Sequence, residues 1–360
     1  MTNFKALILV CFISIQLQFF NNISFATTRD SIKVISGTSK ITGRITFKNN
    51  LSKNNVLINI NIPNHITGEF DKHEVTVDQS GKFSIEVNVE LNISLIVLNT
   101  NINPEKSLII KLINDGVTHV DIVYDANNEI ESISATPDMN LNDITKGLDI
   151  FYEMAFNAPP KKPVPLYDKS TDYFKNYANG ILSERLEILK NDRLISNEFK
   201  SILSKELNLF FFKEYVFPYQ EVMIRNFRNT NDDKSKEPEI QKIDKKYFRF
   251  LKDFNLNDQQ YLQTFSFLEF QKEILQNETL GIPKIEENDI PSWLASVKII
   301  LADLIGFENG PYYDVLVANA FGRQLNEEVR PLSKKQITHI IDYWGDGDFA
   351  KILFRKNKEV

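Results

Sequence analysis

The sequence of 360 residues carries 42 Lys and Arg against 48 Asp and Glu, a formal net charge of −6 at pH 7. The cations are spread among the acids and form no stripe, which argues against a phosphate-tracking groove and a nucleic-acid partner. A single cysteine, Cys11, stands in the whole sequence.

Residues 1–26 read as a secretory signal peptide: Lys5 precedes an apolar run from Ala6 to about Ile15, and Ser24 and Ala26 supply the small residues of a cleavage site. The run is too short, and at Gln16, Gln18, Asn21 and Asn22 too polar, for a membrane span of about 20 apolar residues. Val10 stands where lipidation of Cys11 would need a small residue. Cleavage after Ala26 removes Cys11, and the loss of Lys5 moves the formal charge from −6 to −7. The expectation is a protein of the periplasm or cell envelope with no membrane span after cleavage, and with no disulfide, thiolate metal ligand or cysteine nucleophile. Residues 27–39 are read as a linker.

Residues 40–136 alternate apolar and polar side chains in runs of four to eight, the period of half-buried strands. Ile58, Ile60 and Ile62 share one face while Asn59 and Asn61 take the other, and Phe83, Ile85, Val87 and Val89 repeat the pattern. Leu108, Ile110 and Leu112 lead through Asn114, Asp115 and Gly116 to Val120, Ile122 and Tyr124, which reads as a hairpin. Seven or eight short strands make an antiparallel β-sandwich. In "VTVDQSGKFSIEV", Asp78 bonds its own backbone, Gly81 supplies a positive φ and Phe83 restarts a strand toward the core. This D-x-x-G-x-F turn, with the strand "ITGRITF" at residues 41–47, resembles the prealbumin-like and carboxypeptidase-regulatory-like sandwiches of envelope proteins.

From residue 137 to 360 the apolar period becomes three to four, the mark of an α-helical domain, so the fold class is α+β. Leu141, Ile144, Leu148, Phe151 and Ala155 line one helix. Pro159, Pro160, Pro163 and Pro165 then make a stiff connector that carries the Lys161–Lys162 doublet. Further helices are expected over residues 172–190, 196–229, 242–253, 258–276, 290–305, 311–327, 334–343 and 349–356. The block of Phe210, Phe211, Phe212, Tyr215, Phe217 and Tyr219 reads as a covered central helix that Pro218 kinks.

Four groups of residues invite chemistry. Glu69, Asp71 and His73 share a strand face near His65, but an ordinary solvated face accounts for them without a metal. His119 and Asp121 form a second same-face pair, read as edge-strand solubility. His339 and Asp342 are spaced for a general base and its orienting acid, with no nucleophile beside them. "WGDGD", Trp344 to Asp348, lacks the closing Glu of a calcium loop and reads as a helix–helix turn capped by Asp348. No catalytic, cofactor-binding or metal-ligating residue is assigned.

The segments "YFRFLKDFNLNDQQYLQTFSFLEFQKEIL" (residues 247–275), "GPYYDVLVANAFGRQLNEEVRPLSKKQITHI" (310–340) and "FAKILFRKNKEV" (349–360) resemble the region that precedes the thioredoxin fold in TlpA-like envelope disulfide reductases. Those proteins join a signal, a β-sandwich, a helical region and a C-terminal thioredoxin fold whose W-C-x-x-C motif does the chemistry. Here Trp344 is followed by Gly345, and the sequence ends at Val360, where the family's linker into the thioredoxin fold would begin. The resemblance therefore implies a non-catalytic accessory module without that catalytic domain, holding a protein or peptide partner such as a thioredoxin-fold protein. The alternative is an enzyme using acid–base chemistry in a cleft between the two domains, with His339 or the sandwich acids.

Overall fold

The computed structural model describes residues 31–48, 55–156, 163–231, 233 and 235–360. The expected signal peptide with Cys11, the start of the linker, and Pro159 to Lys162 of the connector lie outside the described residues.

Alternating sequence produces β1 (Val34–Phe47), β2 (Leu57–Asn64), β3 (Glu69–Thr76), β4 (Lys82–Leu91), β5 (Ile93–Thr100), β6 (Ser107–Ile113), β7 (Val117–Tyr124) and β8 (Ile130–Thr136). They form two four-stranded sheets, β4-β1-β7-β8 and β3-β2-β5-β6. Ile58, Ile60, Ile62, Ile96, Leu98, Leu108 and Ile110 of one sheet share a buried cluster with Ile41, Ile45, Phe83, Val87, Val120 and Ile122 of the other. Fully burying each such side chain is worth about 1.5–3 kcal/mol. A one-residue slip of β2 would put Asn59 and Asn61 there instead, which fixes the register.

Two strand expectations are corrected. The sheets are not wholly antiparallel, since β1 runs parallel to β7, with Ile45 beside Ile122. Five strands intervene between them in the chain, so no tight turn dictates their relative direction. Gly43 permits this pairing, because a Cβ there would lie 1.9 Å from the Val120 carbonyl oxygen. The stretch through Asn114, Asp115 and Gly116 is not a hairpin either, because β6 and β7 belong to different sheets. The Asp115 N–H donates to Thr38 O and the Asn114 N–H to Asn92 O, so the turn is tied to other strands as it crosses between the sheets.

The Asp78 turn forms as its residues dictate. Asp78 Oδ1 accepts from the backbone N–H groups of Ser80 and Lys82, each at 2.8 Å, Gly81 has φ 85°, and Phe83 is buried. It too is a corner between sheets, from β3 to β4.

The helical part comprises α1 (Leu141–Phe156), α2 (Thr171–Asn191), α3 (Asn197–Phe211), α4 (Tyr219–Thr230), α5 (Ser266–Gln276), α6 (Ile290–Ile305), α7 (Pro311–Asn326), α8 (Lys334–Trp344) and α9 (Asp348–Asn357). Ser196 caps α3 by accepting from the Phe199 N–H, and Ser333 and Gln336 form a reciprocal capping box on α8. The helix expected over 196–229 is divided. A π-helical turn, Phe212–Val216, precedes Pro218, and the Phe217 N–H reaches back five residues to Phe212 O. Pro218 has no N–H to continue the ladder, so α4 starts afresh after it. Residues Lys245–Phe254 and Gln259–Gln263 are 3₁₀ helices where α-helix was expected. Phe248, Phe250, Phe254, Phe217 and Phe270 interlock there with ring centroids 4.9–5.9 Å apart.

The outer face of the β3-β2-β5-β6 sheet is covered by helices, since Leu95 and Ile109 belong to the same hydrophobic cluster as Leu148, Phe199 and Leu203. By its contacts Ile32–Val360 clusters as one compact unit. Among the described residues no helix is long and apolar enough to cross a membrane.

Candidate functional site

The β2–β3 loop lies buried beneath α7. The Asn319 Nδ2 group donates to His65 O at 2.6 Å and to Ile66 O at 3.1 Å, and Asn326 Nδ2 donates to Thr67 O at 2.8 Å. From the sheet side the Glu90 carboxylate accepts from Ile66 N at 2.6 Å, Thr67 N at 3.2 Å and Thr67 Oγ1 at 2.8 Å. Burial pushes the Glu90 carboxyl up to about 7, although these bonds and the Arg355 guanidinium pull the other way. The His65 ring is buried with neither nitrogen partnered among the described residues, its centroid 6.0 Å from that of Phe267. Burial lowers its pKa to about 3, so it is neutral at pH 7. A Cβ on Gly322 would lie 2.1 Å from Thr67 O, so helix and loop are in direct contact and leave no room for a substrate. The cluster fastens the helices to the strands.

The residues singled out in the sequence are largely committed to similar fastening. Glu69 pairs with Lys356 at 2.5 Å, and Asp71 accepts from Asn64 Nδ2 at 2.8 Å, so these two carboxylates turn to different partners. Among the described residues no three His, Cys, Asp or Glu side chains are grouped so as to hold a metal ion. His119 and Asp121 do meet, with Nε2 and Oδ1 3.1 Å apart, and His119 Nδ1 lies 2.9 Å from Thr42 Oγ1. The edge-strand explanation is corrected, because β7 lies between β1 and β8. About half of each side chain is exposed, so the pair lacks the dry surroundings that strengthen electrostatic catalysis. The His339 ring contact is with Asn288 O at 3.1 Å. The Trp344–Asp348 turn joins α8 to α9 as read, but its cap is Gly347. Asp348 instead accepts from the Ser36 N–H of β1 at 3.0 Å.

An opening suited to a ligand lies between the outer sheet face and helices α1 and α3, with a volume of about 330 Å³. Asn61, Val97, Asn99 and Ser107 form its floor, with Asn61 opposite Val97 and Asn99 opposite Ser107 in the strand register. The side chains of Asn61, Asn99 and Ser107 bond no other described residue. Phe70, Phe151, Tyr152, Leu203 and Phe265 supply the apolar walls. Outside, Phe210 lies 5.4 Å from Phe151 and 5.2 Å from Phe156, ring to ring, and Tyr152 and Phe156 are 50% and 60% exposed.

Glu206 also lines the cleft, but its carboxylate is occupied. It accepts from Ser266 N at 3.1 Å and Ser266 Oγ at 2.5 Å, and so caps α5, whose own N-cap Phe265 offers no side-chain acceptor. Burial raises its pKa against those bonds. A second cavity of about 200 Å³ lies beside Leu262, Phe267 and Tyr312; Asn257 accepts from Tyr312 N and Asp258 pairs with Lys205, while the buried Tyr312 hydroxyl meets no partner among the described residues.

No family model, curated protein or solved structure matches this chain.

Sequence reasoning placed Asn61 on the outward face of β2 but overlooked Asn99, Ser107 and Glu206. Glu206 was legible as an anomaly, an acid among Ile202, Leu203 and Leu207 on the buried stripe of α3. The strand residues carried no such signal, because a polar outward position looks alike whether it faces water or a cleft beneath helices.

Proposed function

We propose that this chain is a non-catalytic accessory module of the cell envelope that holds a protein or peptide partner, and that it is related to the part of TlpA-like disulfide reductases preceding their thioredoxin fold. Its two sheets are read as a prealbumin-like β-sandwich, a reading supported by their shared core and by the Asp78–Phe83 turn. The observation that carries the binding role is a contrast. Buried Glu90 and Glu206 accept bonds from neighbouring backbone, whereas Asn61, Asn99 and Ser107, inside an aromatic-walled cleft, offer hydrogen-bonding groups that bond no other described residue. Apolar walls with a few convergent polar groups are what recognition requires. Residues 12–360 contain no thiol, and the partner proposed for them is a thioredoxin-fold protein.

The test is crosslinking of the tagged chain in intact cells, mass spectrometry of the products, and reconstitution of the complex from purified components. A discrete partner that re-forms a stoichiometric complex supports the reading. Turnover of a hydrolytic or thiol–disulfide substrate that is lost on His339→Ala would refute it.

A further inference from the structure

We infer that the cleft over β2, β5 and β6 takes an extended peptide carrying an aromatic side chain, an inference that rests on the binding-module reading above. An apolar cavity of about 150 Å³ holds benzene, so 330 Å³ accommodates an aromatic ring together with main chain beside it. Phe70, Phe151 and Phe265 present rings to the space, and offset or edge-to-face contacts favour an aromatic guest over an aliphatic one of equal size.

The floor matches the rest of a peptide. Each carboxamide of Asn61 and Asn99 offers both donor and acceptor, the same pair a peptide group presents, and the Ser107 hydroxyl supplies either. Asn99 and Ser107 face each other across neighbouring strands, which places their Cβ atoms about 5 Å apart. A saccharide fits poorly, because its ring of hydroxyls would face apolar walls with few partners and lose more hydration than it regains. A phosphate ligand fits worse, since among the described residues Glu206 is the single charged one lining the space. Exposed Tyr152 and Phe156 extend the apolar track beyond the opening, so residues flanking the anchored ring continue along α1.

The experiment uses the isotope-labelled mature chain and three probes: a blocked Gly-Gly-Phe-Gly-Gly peptide, the same peptide with glycine at its centre, and an N-acetylglucosamine trimer. The phenylalanine peptide is expected to shift the backbone amide resonances of Val97, Asn99 and Ser107 saturably. The all-glycine peptide should bind at least about tenfold more weakly, for want of the buried ring. Ser107→Trp, which fills the floor, should abolish the shifts. Tyr152→Ala, at an exposed position, should weaken binding severalfold and serves as the second variant if Ser107→Trp fails to fold. Unmoved amides with the phenylalanine peptide, equal binding of the all-glycine peptide, or binding of the trimer alone would each overturn the inference. A reconstituted partner complex that survives Ser107→Trp unchanged would remove the cleft from the account and leave the binding-module reading standing.

Discussion

Glu90→Gln tests the fastening of the β2–β3 loop, because it keeps the side-chain volume and removes the titration. The carboxyl is displaced by burial from its ordinary 4.5 to about 7. Between those values the folded chain holds a proton that the unfolded chain releases. The stability linked to this group is therefore fully present below about pH 4.5 and is lost as the pH rises through about 7. At about 1.4 kcal/mol per pKa unit the loss is about 3 kcal/mol across that window. Gln lacks this slope, although its amide must meet the Ile66 and Thr67 N–H donors and so costs something at every pH. Urea unfolding of both proteins across the window should show the stability difference moving in favour of the variant as pH rises, by about 3 kcal/mol in total. A difference that stays constant would mean that the three hydrogen bonds and Arg355 offset desolvation and that Glu90 titrates as an ordinary carboxyl.

Asn319→Ala strands the buried carbonyls of His65 and Ile66, and chemical denaturation should report a loss of about 1–3 kcal/mol. Gly322→Ala drives a methyl into Thr67 O, and calorimetry should find it destabilised by about 1–3 kcal/mol unless α7 lifts away. Ser196→Ala removes the cap of α3 and a 2.6 Å bond to Asp143, for an expected loss of about 1 kcal/mol or slightly more in thermal unfolding. Phe83→Ala empties a buried position between the sheets, with an expected loss of about 3–5 kcal/mol by urea titration.

The change of period near residue 137 made the α+β order legible, and the alternation of Ile58, Ile60 and Ile62 identified the inward face of β2 without ambiguity. Local chemistry read equally well, as the Asp78 turn and the Ser196 cap illustrate. What escaped was pairing at a distance. Asn114-Asp115-Gly116 carries the residues of a hairpin, but whether its strands stay in one sheet depends on bonds to Thr38 and Asn92, which turn chemistry does not encode. The parallel partnership of β1 and β7 is invisible for the same reason. The helix break after Phe211 was half legible: Pro218 announced it, while the π-helical turn depends on how Phe212 and Phe217 pack against the 3₁₀ segment. The cleft was the least legible of all, because its floor and walls come from four strands, two helices and Phe265 at the start of a third, which meet only in three dimensions.

The β2–β3 loop is gripped by its main chain: Asn319, Asn326 and Glu90 bond the carbonyls and N–H groups of residues 65–67, and Glu90 also bonds Thr67 Oγ1. Such a grip is intolerant of any change in path, and the burial of the His65, Ile66 and Thr67 side chains limits their size as well. Surface loops ordinarily drift in length faster than in anything else. In relatives of this chain the expectation is reversed: this loop should keep its residue count and an apolar residue at the position of Ile66, with carboxamide-bearing residues persisting at the two α7 positions and a glycine at the point of contact.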